Sequence, residues 1–429
     1  PPTDDPDDPT DDPDAADDPA RDRPGTAALA ACQPRGTPYT TAGFPLPPGA
    51  APSIGTMRVA VLFIDFPDAQ AGYRTQVEAA LGLPYAEAYL EAVSYGRLDV
   101  EFVPRHGWLR AEHGFAEYLE EVSLGEMRVF ASAEAIRLAD PSFDFTGFHT
   151  VMTVLPSSRF RAGDHTFGST HTDEGEMRLM AGINTVPLDE PRDPEPWGYI
   201  AAHELGHSLG LSDHYPYDAA RFERPDPPPP RIWVRSEFGL MGLHTAFVAH
   251  PEDRRIEITG RGDFGRRLTG HTIQLKATEM LAWSRWQLGW LDESQVLCLT
   301  ADRSRVMLSP VADPGDAAVM AVVPLSDTEV LVVEVRVKAG YDAEQGQRHT
   351  DGSLLTVPAL AVEGVLVYTV DASLGSGQLP LVIAGDAGDG QADDYPILSR
   401  GDQVAVRGYT VTFVSDRGGY IVAIFKTTG

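Results

Sequence analysis

The chain has 429 residues, 42% of them hydrophobic and 23% charged, with a formal net charge of −29. Its length allows two or three domains with sizeable cores. So acidic a body repels phosphate backbones and anionic lipid, which excludes nucleic acid and membrane surfaces as expected partners. There is no run of about 18 apolar residues, so no membrane span is expected.

Residues 1–25 repeat Asp-Asp-Pro and carry ten Asp against two Arg, a composition that cannot bury apolar surface and is expected to be disordered. The first residue is Pro1, without a charged and apolar leader, and the chain reads as processed or trimmed. Residues 26–55, rich in Pro, Gly and Ala, read as a linker or an extended arm.

Residues 57–66 (MRVAVLFIDF) form a continuous apolar run, the mark of a strand buried on both faces. Residues 75–93 have helical spacing, 97–103 alternate as a second strand, and 115–138 read as a helix broken near Gly125. Residues 149–155 (HTVMTVL) are a third strand and 177–187 a fourth, near a sheet edge. Strands alternating with helices predict an α/β layer. A helix is expected over 197–211 and another over 277–288, with a Pro-rich loop at 225–230 between them. Beyond about residue 292 short runs rich in Val, Leu and Tyr, such as 330–337, 364–370 and 404–414, are separated by Gly and Asp, the pattern of a β-sandwich. The expected division is a tail and linker over 1–56, a catalytic domain over 57–294 and an all-β sandwich over 295–429.

The chemistry concentrates in His203-Glu-Leu-Gly-His207-Ser-Leu-Gly-Leu-Ser-Asp213. Residues four apart share a helix face, so His203 and His207 can point at one zinc ion. Glu204, next to the first ligand, leans beside the metal and can take a proton from water and pass it on. Gly210 can end the helix in a left-handed conformation and reverse the chain, which returns Asp213 as third ligand. His214 is the alternative third ligand, and adjacent residues point apart, so only one of the two reaches the metal. Tyr215 and His244 are candidate donors to a developing oxyanion. The plainer alternatives are a helix with two unremarkable histidines and a metal site that has lost activity.

This segment resembles the metzincin pattern H-E-x-x-H-x-x-G-x-x-D. Residues 236–242 (SEFGLMG) look like its Met-turn, in which Met241 would pack beneath the ligands. Within that clan the chain resembles the immune inhibitor A family of zinc peptidases. Residues 61–68 (VLFIDFPD), 94–99 (SYGRLD), 283–291 (WSRWQLGWL), 333–336 (VEVR), 340–342 (GYD) and 364–368 (GVLVY) match its segments. The likeness covers roughly 57–425. Snapalysin-like peptidases, much smaller, are the nearest rival within the clan. The insertion at 225–230 and the polar stretch 249–270 depart from the pattern, so specificity does not carry over.

The resemblance implies a mixed sheet above a cleft, the active-site helix beneath it and a Met-turn floor. It also implies structural calcium, for which Asp189, Glu190, Asp193 and Asp218 are candidates. The activity expected is that of a secreted, monomeric zinc endopeptidase acting on protein or peptide substrates. The alternative is an extracellular binding or adhesion protein with a vestigial zinc site. An extended substrate is expected to add to the edge strand at 177–187, where Ile183→Pro would raise KM. Trp283, Trp286 and Trp290 read as core, His165 and His171 as loop histidines, and Arg261-Gly-Asp263 as a chance tripeptide. Cys32 and Cys298 either bridge or stay as buried thiols, and Cys32 is also a candidate zinc ligand.

Overall fold

The protein is represented by a computed structural model that describes residues 29–72, 74–117, 124–156, 169–184, 194–215, 238–242, 246–247, 256–257, 269–270, 273–274, 278–315, 317–348, 354–358, 362–384 and 396–427. It is a mixed α/β structure with several sheets and few helices among these residues.

The first layer is built on β1 (Gly55–Asp65), the apolar run. It pairs in parallel with β2 (Leu98–Arg110) on one side and β3 (Thr150–Leu155) on the other. The sheet continues through β5 (Gly175–Asn184), parallel to β3, to an antiparallel edge strand β4 (Ser169–Thr172), in the order β2-β1-β3-β5-β4. Alternate residues of β1 serve two cores. Val59, Val61 and Phe63 pack under α1 (Thr75–Val93) and α3 (Pro194–Ser208), while Ala60, Leu62 and Ile64 pack under α2 (Leu124–Ala139). Burial on both faces is why this strand lacks polar alternation.

Several expectations are refined. Strand β2 runs to Arg110 rather than residue 103, and it is an edge strand, where Pro104 is tolerated. The strand expected near an edge over 177–187 is β5, which has β4 outside its residues 175–178. The run 404–414 is a hairpin, β19 (Gln403–Val406) and β20 (Tyr409–Ser415). Its two-residue turn, Arg407-Gly408, has positive φ at both positions, the geometry that tight hairpins favour. The helix expected over 277–288 is reduced to α4 (Ala282–Gln287), preceded by the extended residue Leu281 at its N-cap.

Four two-residue strands, β6 (Ala246–Phe247), β7 (Ile256–Glu257), β8 (Thr269–Gly270) and β9 (Ile273–Gln274), pair as β6-β9 and β7-β8. The C-terminal part holds two larger sheets. One runs β10 (Val296–Cys298), β12 (Met320–Pro324), β13 (Glu329–Arg336), β16 (Gly364–Asp371), β17 (Leu381–Ile383), with β18 (Ile397–Leu398) also on β16. The other is β11 (Arg303–Leu308), β21 (Tyr420–Lys426), β20, β19. Side chains from both sheets share one core, including Val333 and Val367 from the first and Val306, Val411 and Val422 from the second. β14 (Glu344–Arg348) and β15 (Leu354–Pro358) form a separate antiparallel two-stranded sheet.

The segment 29–54, expected as a linker or arm, is a packed strap that ties these parts together. Cys32 is disulfide-bonded to Cys298 of β10, which settles the open choice for the cysteines and removes Cys32 as a zinc ligand. Trp283 Nε1–H of α4 donates to the Ala42 carbonyl at 2.8 Å, and Gln287 Nε2 donates to Gly43 O at 2.9 Å. Trp290 Nε1–H donates to Ser53 O at 2.7 Å. The tryptophans are core residues, and two of them also hold the strap by its carbonyls. Strap residues, α4 and the β10–β18 sheet form a single apolar cluster that crosses position 295. No helix among the described residues is long and apolar enough to cross a membrane.

Candidate metal centre

The site is built on the last two turns of α3 and the reversal that follows. Helix α3 lies against α1 at a glycine. A Cβ on Gly198 would come within 2.7 Å of the Gly82 carbonyl and 2.6 Å of the Tyr85 ring, so the helices pack closer than side chains would permit. The helix then ends in two bonds, Leu211 N–H to Gly206 O at 3.0 Å and Gly210 N–H to His207 O at 2.9 Å, with Gly210 at φ +99. This is the Schellman arrangement, which requires a left-handed residue just past the helix end. It turns the chain so that Asp213 faces the helix it has just left.

The three proposed ligands meet. Asp213 Oδ1 lies 3.2 Å from His203 Nε2 and 3.4 Å from His207 Nε2. Four ligands at about 2.05 Å in a tetrahedron stand about 3.3 Å apart, so this spacing, which also suits a His–Asp ion pair, is compatible with a zinc ligand set. Ligand atoms of His203, Glu204 and His207 also lie within 4.8 Å of one another. His203, Glu204, His207 and Asp213 are each at most 4% exposed.

The far side of each imidazole fixes what the near side presents. His203 Nδ1 is 2.7 Å from the Leu240 carbonyl and His207 Nδ1 is 2.8 Å from the Leu211 carbonyl. A carbonyl only accepts, so both Nδ1 atoms carry hydrogen. A neutral imidazole then presents a bare lone pair at Nε2. Two such lone pairs and a carboxylate oxygen converge on one small volume, and they repel one another unless a cation sits among them. A proton answers part of this demand. Burial works to lower the His207 pKa, but Asp213, Glu204 and the Leu211 carbonyl outweigh it and bring it up to about 9. Burial likewise works to raise the Asp213 carboxyl, and the two histidines hold it well below the usual range. Two imidazole nitrogens and one carboxylate oxygen suit zinc and related transition metals, whereas calcium and magnesium take oxygen shells.

His214 takes a different place. Its N–H donates to the Met241 carbonyl at 2.8 Å, and it lines a small pocket with Phe238, Gly239, Gly242, Leu281, Leu381 and Ile383. Burial depresses its pKa to about 4 despite Asp213, with His203 and His207 adding to the effect. Among the two candidates for third ligand, the carboxylate of Asp213 is the one at the imidazoles. Tyr215 is half-buried, its ring 6.4 Å from that of His203 and near parallel to it.

Residues 238–242 form a tight turn, closed by Gly242 N–H to Gly239 O at 3.0 Å. A Cβ on Gly206 would lie 2.4 Å from Met241 Sδ, so the glycine between Leu205 and His207 is the space in which that thioether sits. The turn serves the site through its backbone as well, since Leu240 O orients His203 and Met241 O holds His214. Sequence reasoning missed these carbonyls and that of Leu211, because backbone acceptors leave no residue-type signal.

His244, the four calcium candidates Asp189, Glu190, Asp193 and Asp218, His165, the Pro-rich loop 225–230 and Arg261-Gly-Asp263 lie outside the described residues. His171 is exposed on β4. The chain matches no protein-family model and no curated protein.

Proposed function

We propose that this protein is a secreted zinc-dependent endopeptidase of metzincin type, in which His203, His207 and Asp213 hold the metal and Glu204 transfers protons. The observation that carries the reading is the convergence of two Nδ1-tethered imidazoles and one buried carboxylate on a volume the size of a zinc ion. When bound, zinc supplies the Lewis acidity that brings a water molecule toward ionisation near neutral pH. Glu204, buried beside His203, takes the proton from the attacking water and delivers it to the departing amide nitrogen. Leu240 O and Leu211 O keep both imidazoles in the tautomer that leaves Nε2 bare. Tyr215, beside His203, is the described candidate for a hydrogen bond to the developing oxyanion. The Met-turn-like segment 238–242 under α3 and the sheet order with an antiparallel edge strand support the metzincin comparison. The disulfide between Cys32 and Cys298 supports an oxidising, extracellular setting.

The test is hydrolysis of unfolded casein by the purified chain, with and without a zinc chelator, and by Glu204→Gln. The expected result is one zinc per chain in both proteins, chelator-sensitive cleavage by the wild type, and a loss of about 10²–10⁴-fold in the variant. Zinc-loaded wild type that cleaves no protein would favour a binding protein with a vestigial site. Absence of zinc would overturn the metal reading itself.

A further inference from the structure

Asp213 lies beyond the end of the helix that carries the two histidines. Three consecutive backbone N–H groups around it are donated to three different segments. Ser212 N–H goes to Thr41 O of the strap at 3.3 Å, and His214 N–H goes to Met241 O of the 238–242 turn at 2.8 Å. Between them, Asp213 N–H goes to Ser376 Oγ at 2.9 Å, 163 positions away in sequence. Ser376 belongs to the loop between β16 and β17 in the β-rich part of the chain. Its hydroxyl lies 3.0 Å from Thr40 Oγ1 of the strap. Since Ser376 Oγ accepts from Asp213, its own hydrogen is available to Thr40.

The loop is built to hold that hydroxyl in place. Asp371 N–H donates to Pro380 O at 2.8 Å across its base, Ala372 N–H to Thr328 O at 2.8 Å, and Gly375 N–H to the Gln378 side chain at 2.9 Å. A Cβ on Gly43 of the strap would come 2.7 Å from Ala372 Cβ, so the strap and the loop are in close contact here.

From this we infer that Ser376 is a positioning residue for the metal centre, setting the third ligand through its backbone, and that the C-terminal β-rich part is therefore needed for tight metal binding rather than being a separate module. The inference rests on the reading of His203, His207 and Asp213 as metal ligands. Groups that orient a metal ligand typically change affinity by about 10–100-fold when removed.

The experiment uses the full chain and zinc alone. Zinc dissociation constants are measured by competition with a chromophoric chelator for wild type, Ser376→Ala, Ser376→Thr and Thr40→Val, and melting temperatures are taken with and without zinc. Ser376→Ala is expected to bind zinc about 10-fold more weakly, Ser376→Thr to stay within about 3-fold of wild type, and Thr40→Val to lose about 3-fold. The zinc-dependent rise in melting temperature should shrink in Ser376→Ala more than the metal-free melting temperature falls. A purely structural role predicts the opposite, equal lowering of both melting temperatures at unchanged zinc affinity, and that result overturns the inference. If Ser376→Ala does not fold, wild-type affinity in Thr40→Val overturns it. Wild type that binds no zinc overturns the metal reading beneath it, a failure distinguishable from the others because it precedes any variant.

Discussion

Gly210→Ala tests how the ligand turn is built. Gly210 sits at φ +99, where a side chain costs about 1–2 kcal/mol in backbone strain. The added methyl would also lie 2.7 Å from Pro47 Cδ and 3.3 Å from Ala50 Cβ of the strap. Pro47 is a ring and cannot rotate away, so the strap must shift, at about 1–3 kcal/mol for overpacking. The two costs together come to about 2–5 kcal/mol. With about 2.1 cal/mol/K of unfolding entropy per residue, a chain of this length loses about 1 °C per kcal/mol, so the melting temperature should fall by about 2–5 °C. Zinc affinity should fall as well, because Thr41 N–H donates to the Gly210 carbonyl at 2.8 Å and the displaced strap carries the turn with it. Adding Pro47→Ala should recover the packing part and leave the strain part, a coupling that a double-mutant cycle measures. A melting temperature within about 1 °C of wild type, at unchanged zinc affinity, would refute both the left-handed turn and its contact with the strap.

Two further outcomes follow from the same geometry. In the metal-free protein His207 is held up to about 9, so at pH 7 it carries a proton that zinc must displace. Apparent zinc affinity should therefore rise about tenfold per pH unit from 7 toward 9 and then level off; titration calorimetry in two buffers of different ionisation heat would show the released proton, and a flat profile would exclude it. The Cys32–Cys298 bridge closes a loop of 266 positions, and replacing both cysteines by Ser should cost about 2–5 kcal/mol, read as a lowered melting temperature that a reducing agent reproduces in the wild type. Equal melting temperatures would show that the hydrogen bonds and apolar packing of the strap hold it without the bridge.

What the sequence discloses here divides by physical cause. Periodicity exposes α1 and the helix of the motif, because repeated burial of one face leaves a repeated pattern, and β1 is legible because burial on two faces removes all alternation. The spacing His203–His207–Gly210–Asp213 is legible because each interval has a geometric meaning. The strap is less so, since much of its work is done by the carbonyls of Thr41, Ala42, Gly43 and Ser53, which any residue would supply. Ser376, flanked by Gly375 and Gly377, looks like an ordinary turn serine. Glu334 and Arg336 look like the solvent side of an alternating strand, yet both are fully buried.

That last mismatch explains how two unlike layers can meet at the cluster of His203, His207 and Asp213. Arg336 donates from Nε and Nη2 to both oxygens of Asp342, at 2.6 and 2.7 Å, from Nη1 to the Phe238 carbonyl at 2.7 Å, and from Nη2 to the Glu279 carbonyl at 3.1 Å. Glu334, beside it, accepts from Ala282 N–H at the start of α4 and from the Tyr368 hydroxyl. Burying these charges is costly, and an apolar interface could stabilise the chain as well or better. An apolar interface, however, is tolerant of sliding, whereas a guanidinium fork fixes direction and distance together. Phe238 opens the turn whose carbonyls orient His203 and hold His214. One β13 side chain thus fixes that turn while Ser376, between β16 and β17, fixes Asp213. The metal centre proposed for these residues would require its ligands within about 0.5 Å of their working positions, and directional bonds from the β-rich part reach the site at two points.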